Sequence, residues 1–180
     1  MKSIYFIRHG ESVWNTLDKI CGRTDSPLTE KGRLQAEEAG RKLIESGIKA
    51  DIILYSPLSR AAETARIISG MSGIPAFEEP RLMEQCFGKW EGTSPRNAPA
   101  FREAKKSFAD SYGGGESMFR LAQRIYNLLD ELKTDGRTVI LVAHNGIARV
   151  VKSYFEDMTN DEYSAFGVKN ASVTEFVYKE

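Results

Sequence analysis

The chain has 180 residues and only two histidines, His9 and His144, and each closes an apolar run. His9 follows Ser3-Ile4-Tyr5-Phe6-Ile7-Arg8, and His144 follows Thr138-Val139-Ile140-Leu141-Val142-Ala143. Imidazole can act as a nucleophile or carry a proton near neutral pH. Arginine binds phosphate bidentately through its planar fork and stays charged at any working pH. Arg8 adjoins His9, and Arg60 stands just after a third apolar run, Asp51-Ile52-Ile53-Leu54-Tyr55, followed by Ser56-Pro57-Leu58-Ser59. Alone, His9 also fits a buried, hydrogen-bonded core histidine. With Arg8 beside it and Arg60 converging, catalysis is the better reading.

These residues need elements that bring them to one place. Each of the three apolar runs is short and β-branched or aromatic at most positions, as in strands covered on both faces. Three parallel strands would deliver Arg8, His9, Arg60 and His144 to one carboxyl edge, where open α/β sheets bind ligands. Gly10 lets the chain turn sharply there. A helix is expected from near Thr29, an N-cap hydroxyl, with Gly32, Ala36, Ala39 or Gly40, and Leu43 on its inner face. It ends at Ser46-Gly47, and the strand after it makes a right-handed βαβ unit. Ser59 to Ser69 is a second helix, with Leu58, Ala61, Ala62, Ala65 and Ile68 inward. Ala76 to Glu79 is a short strand candidate, and residues 81–92 are irregular. Met118, Leu121, Ala122, Ile125, Leu128, Leu129 and Leu132 define a helix over 116–132. Ile147, Val151, Tyr154 and Met158 define another after His144. Ser172 to Tyr178 alternates and reads as an antiparallel edge strand. The expected fold is a three-layer α/β/α sandwich with a mostly parallel sheet, in one domain over 1–180. A lid-like excursion at about 93–115 would carry one short helix within 98–108.

Several ordered motifs carry a resemblance. They are Arg8-His9-Gly10-Glu11-Ser12 with Trp14-Asn15, Gly22-Arg23-Thr24-Asp25-Ser26-Pro27-Leu28-Thr29, and Ser56-Pro57-Leu58-Ser59-Arg60-Ala61. They continue with Glu84, Phe87-Gly88 and Trp90-Glu91-Gly92, then Gly114-Gly115-Glu116-Ser117 and Val142-Ala143-His144. Together they resemble the histidine phosphatase superfamily, which includes the cofactor-dependent phosphoglycerate mutases. The resemblance implies a phosphoglycerate mutase-like fold and phosphoryl chemistry.

Phosphoryl transfer needs positive groups around three oxygens and an in-line nucleophile. Arg8, Arg60 and His144 supply the cations and donors, and His9 is the candidate nucleophile, forming a phosphohistidine that water hydrolyses. Two guanidiniums beside His9 disfavour its imidazolium, as attack requires. The leaving alcohol needs a proton, and the resemblance places that role on Glu84. By sequence alone Glu11, Glu78, Glu79 and Glu91 are rivals. The backbone N–H groups of Asn145 and Gly146, at a helix start, are a further candidate anion site. Asn15, Cys21, Gly22 and Arg23 match family positions that line the pocket, with Cys21 a passive pocket residue rather than a reactive thiol. Asn145, where relatives commonly have glycine or a small residue, is a candidate substrate contact. Arg60 could instead serve as an ion-pair partner of Glu84 or Glu63. Trp14, Phe87, Trp90 and Phe101 fit either an apolar substrate wall or core packing.

Within the family, mutases carry a longer insertion after the general acid, with a tyrosine, a lysine and an arginine pair. This chain has a short segment there and no Arg-Arg, and Arg23 stands where mutases usually carry tryptophan. It is therefore similar to the phosphatase branch, including alpha-ribazole and broad-specificity phosphatases, and the implied substrate is a small phosphorylated metabolite. A mutase and a non-catalytic phosphate-binding module are the alternatives.

The 25 basic and 25 acidic residues balance, so the chain has no electrostatic footprint for nucleic acid. Two cysteines, Cys21 and Cys86, are too few for a disulfide framework, and a cytoplasmic protein is expected. No apolar run approaches the roughly 20 residues of a membrane span. Two histidines without a cysteine pair at ligand spacing argue against a metal site, and no cofactor is implied. The sequence leaves a homodimer open.

Overall fold

The computed structural model describes residues 2–179. Its five strands are β1 (Ser3–Arg8), β2 (Ile52–Tyr55), β3 (Ala76–Glu78), β4 (Val139–Ala143) and β5 (Val173–Val177), in the order β3-β2-β4-β1-β5. The pairs β2 with β3, β2 with β4 and β1 with β4 are parallel, and β5 lies antiparallel on β1 at the edge. β4 is buried at all five positions, as its unbroken apolar run requires.

The helices are α1 (Val13–Thr16), α2 (Glu30–Glu45), α3 (Ser59–Ser72), α4 (Pro99–Ala104), α5 (Met118–Thr134), α6 (Asn145–Phe155) and α7 (Asn160–Ala165). On one face of the sheet, Ile4, Phe6, Val139 and Leu141 pack against Leu121, Ile125 and Leu128 of α5 and Ile147 and Val151 of α6. On the other, Ile7, Ile53, Ile140 and Val142 pack against Ala39 and Leu43 of α2 and Ala61, Ala65 and Ile68 of α3. The alternation along β1 and β4 thus feeds two cores, giving three layers, α/β/α. The small inner residues of α2, including Gly32, Ala36 and Gly40, are all buried.

Local signals set most boundaries. The Thr29 hydroxyl accepts from the Gly32 N–H and starts α2, and Ser117 accepts from Arg120 N–H and starts α5. α3 has no side-chain cap of its own; Asp25, 34 residues away, accepts from the Ser59 N–H at 2.9 Å. One expectation is corrected. α6 stops at Phe155, so Met158 lies beyond it, and a separate helix, α7, follows under a Thr159/Glu162 capping box. Ser12 precedes the single turn α1, and its N–H donates to the Asn15 side chain. α4 lies inside the span 98–108.

Over 93–115 the chain forms a 3-10 turn at Pro95–Asn97 and then α4. Ala98, Phe101 and Tyr112 from this segment join Ile20 and Phe87 in a third, small apolar cluster. Phe87 and Phe101 meet edge to face at 5.4 Å. These aromatics therefore pin the segment down rather than wall a substrate.

Candidate active site

Where β1 and β4 end side by side, His9 and His144 lie with ring centroids 5.1 Å apart, both at least 96% buried. His9 Nδ1 is 2.6 Å from the Gly10 carbonyl oxygen. A carbonyl only accepts, so Nδ1 is assigned the proton and Nε2 the lone pair. Burial, with the Arg60 and Arg8 charges, holds the His9 imidazole well below its ordinary pKa, so it stays neutral. His144 is depressed for the same reasons, burial first and then Arg60. Its Nε2 is 2.7 Å from the Ser56 hydroxyl, which itself accepts from the Leu58 N–H. Its Nδ1 is buried with no partner among the described residues.

Arg8 donates from Nη1 to the Val168 carbonyl at 2.8 Å, and its Nε is buried and unpartnered among the described residues. Burial lowers its pKa, which Glu84 partly offsets. Arg60, on the first turn of α3, is 1% exposed and donates to the carbonyls of Gly22 at 2.8 Å and Thr24 at 3.2 Å. The acid nearest it is Asp25, at 3.9 Å. The expected alternative pairing with Glu84 or Glu63 is not formed, and Glu63 instead pairs with Arg33 at 2.7 Å.

Glu84 is 5% exposed and follows the turn Pro80–Leu82. One carboxylate oxygen accepts from Gln85 N–H and the other from Gly146 N–H, each at 2.9 Å. Any Cβ at Gly146 would collide with that carboxylate. The anion held at the start of α6 is thus the protein's own Glu84, which corrects the expectation of a substrate anion site on the Gly146 N–H. The rival acids are engaged elsewhere. Glu11 pairs with Lys31, Glu79 pairs with Arg81, and Glu78 is exposed on β3.

Glu91 has a different task. Its carboxylate accepts from the N–H groups of Arg23, Thr24 and Phe87 and from the Thr24 hydroxyl. Burial pushes this carboxyl up, but those hydrogen bonds more than offset it and leave it below the ordinary glutamate range. It anchors the strip that gives Arg60 its carbonyl partners. Gly22 must be glycine, because a Cβ would strike the Gln85 carbonyl and Glu91.

The remaining expected contacts divide. Asn15 turns its amide oxygen to the Ser12 N–H. The Cys21 thiol donates to the Thr24 carbonyl at 3.4 Å, and burial pushes its pKa up, as for an inert thiol. Arg23 reaches Glu116 at 3.3 Å. Asn145 accepts from the Val168 N–H at 2.9 Å, so its amide oxygen holds a protein loop rather than substrate. That loop was not anticipated. Asn170 donates to the His9 carbonyl at 2.9 Å, and the Ala171 N–H donates to the Arg8 carbonyl at 2.8 Å. No sequence motif marks it, since its partners on β1 and at His9 lie about 160 residues away.

Among the described residues no group of three or more His, Cys, Asp or Glu side chains is placed to hold a metal ion. None of the described helices is long and apolar enough to cross a membrane.

The fold and the paired histidines define a phosphoglycerate mutase-like α/β protein. The chain belongs to the histidine phosphatase superfamily, branch 1, whose family model matches residues 4–180. It is 32% identical over 183 residues to a probable phosphoglycerate mutase GpmB of Erwinia tasmaniensis, covering 97% of this chain and 84% of the relative. A mycobacterial glucosyl-3-phosphoglycerate phosphatase complexed with VO3 superposes with a TM-score of 0.85 at 28% identity, covering 97% of this chain and 90% of that one. Bacillus stearothermophilus YhfR superposes at 0.83 with 31% identity, again over 97% and 90%.

Proposed function

We propose that the chain is a phosphomonoester hydrolase that acts through a phosphohistidine on His9, with a small phosphorylated metabolite as substrate. One observation carries this reading: the Gly10 carbonyl accepts a hydrogen bond from His9 Nδ1–H, so the neutral imidazole keeps its Nε2 lone pair free among buried cations. Nε2 attacks phosphorus, the N–P bond forms, and the ester P–O bond breaks. Arg8, Arg60 and the His144 Nδ1–H hold the equatorial oxygens. For His144 to donate, Ser56 must donate to its Nε2, which the 2.7 Å contact allows. The Glu84 carboxyl gives its proton to the departing alcohol oxygen and, as carboxylate, takes one from the water that attacks the phosphohistidine. Each Glu84 oxygen accepts one backbone N–H and keeps a second lone pair, so one of them can carry the proton. The segment 93–115 is the lid-like cover.

The name of the Erwinia tasmaniensis relative favours a second reading, a mutase that passes the phosphoryl group back to a phosphoglycerate instead of to water. Against it stand the short segment after Glu84 and the lack of an Arg-Arg pair anywhere in the chain.

One experiment separates the readings. Wild-type and His9→Ala protein are mixed with a panel of phosphomonoesters including 3-phosphoglycerate, following phosphate release and acid-labile phosphoprotein. Release with a transient label, both lost in the variant, supports the hydrolase. A persistent label with phosphoryl movement between phosphoglycerate positions and no release supports the mutase. Neither label nor release overturns both and leaves a binding module.

A further inference from the structure

The segment 166–171, between α7 and β5, is fastened both to the helix that follows His144 and to the strand that ends in Arg8. Two ties come from α6: Arg149 Nε donates to the Phe166 carbonyl at 2.6 Å, and the Asn145 amide oxygen accepts from the Val168 N–H at 2.9 Å. Three more run to Arg8 and His9. Arg8 Nη1 donates to the Val168 carbonyl at 2.8 Å, the Ala171 N–H donates to the Arg8 carbonyl at 2.8 Å, and the Asn170 amide donates to the His9 carbonyl at 2.9 Å. The Phe166 and Val168 side chains pack on the core that β1 and β4 share with α5 and α6.

The two sets of ties meet in Val168, whose N–H is held by Asn145 and whose carbonyl holds Arg8. A guanidinium is a rigid planar fork, so an acceptor fixed on Nη1 also fixes where the other donors point. With Nη1 engaged, the edge formed by Nε and Nη2 is the one left for a bidentate contact. Arg8 Nε is buried and has no protein acceptor among the described residues, as a donor kept for a ligand is. The orphaned donor and the engaged one thus select the same edge.

Only a side chain with an acceptor at the reach of asparagine closes this relay. Glycine or alanine at the first position of α6 has no oxygen for the Val168 N–H, and the Val168 carbonyl then loses the group that sets its direction. Gly167 makes room for the longer side chain, since a Cβ there would lie 3.2 Å from the Asn145 amide oxygen. The remaining ties at Phe166, Asn170 and Ala171 do not involve Asn145, so its loss disturbs the direction of one carbonyl rather than the attachment of the segment.

We propose that Asn145 is a positioning residue for Arg8: acting through Val168, it turns the Nε–Nη2 edge of the guanidinium toward the phosphoryl oxygens. Asn145 itself touches no substrate. The inference rests on the reading that Arg8 holds those oxygens, and it gives Asn145, at a position next to His144, a task in the reaction that needs no contact with the ester.

The test is a double-mutant cycle on the full chain, with orthovanadate as the probe because its binding needs no turnover. Asn145→Ala is expected to weaken vanadate about tenfold when Arg8 is present and by less than about twofold in the Arg8→Met background, where nothing is left to position. Asn145→Ser, polar but too short for Val168, behaves like Asn145→Ala. An equal loss in both backgrounds, no loss in either, a serine variant that binds like wild type, or an Arg8→Met protein that binds vanadate undiminished overturns the proposal. Nitrogen-edited NMR of the Arg8 side chain, assigned by its disappearance in Arg8→Met, gives a readout without ligand. Nη rotation that is restricted in wild type and freed in Asn145→Ala supports the relay, and rotation alike in both overturns it. A wild type that releases phosphate from no ester while the vanadate cycle still couples removes the hydrolase reading and leaves the positioning role in place.

Discussion

At His9 the two ring nitrogens are unequal, and this inequality is set by a single backbone carbonyl 2.6 Å away. Because burial and two guanidiniums depress its pKa, His9 does not gain a proton as pH falls through 6.5. The acid limb of kcat/KM therefore lies below pH 6.5 once the ionisation of the ester itself is allowed for. A limb at the ordinary histidine value, absent from an ester of lower second pKa, would contradict the assignment. Glu84 is tested by leaving-group dependence. Glu84→Gln preserves the side-chain shape but has no acidic proton to give, so kcat/KM, which reports phosphoryl transfer to His9 and not the later hydrolysis, falls about 10²–10⁴-fold for an alkyl ester. p-Nitrophenyl phosphate, whose leaving group needs no proton, loses far less. Equal losses on both esters would remove Glu84 from the acid role.

At the scale of elements, the site is set by how loops are tied to helix ends. The start of α6 meets Glu84 only because position 146 has no side chain. Gly146→Ala forces the carboxylate away, and kcat is expected to fall about tenfold or more while the two sheet cores, which it does not touch, keep the chain folded. Circular dichroism alongside the kinetics checks that split. The strip 22–24 depends on Glu91 in the same way. Glu91→Gln replaces one carboxylate oxygen by an amide NH2, which then faces either the Arg23 and Phe87 N–H groups or the Thr24 N–H; this costs about 1–3 kcal/mol and loosens the carbonyls that hold Arg60. A lower Tm and a raised KM are expected together; a raised KM with Tm unchanged would show that the strip is not held by this carboxylate.

For the whole molecule, the two buried neutral histidines couple stability to pH. Their folded pKa values lie below the unfolded value near 6.5, so between the two the unfolded chain binds more protons. Stability is therefore full above pH 6.5 and falls as pH drops below it, by at most about 1.4 kcal/mol per pH unit for each histidine. Urea titrations at pH 7.5 and 5.5 check this. His9→Gln and His144→Gln together should flatten the dependence, and an unchanged slope would place its origin in carboxylates such as Asp135, held at about 2 by Arg137. Because arginines supply the positive charge, EDTA should leave turnover unchanged. Loss of turnover restored by added metal would refute that.

What the sequence determined by itself was local or periodic. The apolar runs ending at Arg8, Tyr55 and Ala143 specify buried strands, Thr29 and Ser117 cap the helices they precede, and together these place His9, Arg60 and His144 at one sheet edge. Such signals depend on near neighbours, so they can be read without coordinates. Partner choice could not be read this way. Which of five glutamates approaches the histidines depends on the sheet order that brings residue 84 against residue 146. The same holds for Asn170 on the His9 carbonyl and for Asn145 turned to Val168. These pairings span 23 to 161 positions, and only tertiary packing, which closes such loops at once, decides among residues that are chemically alike.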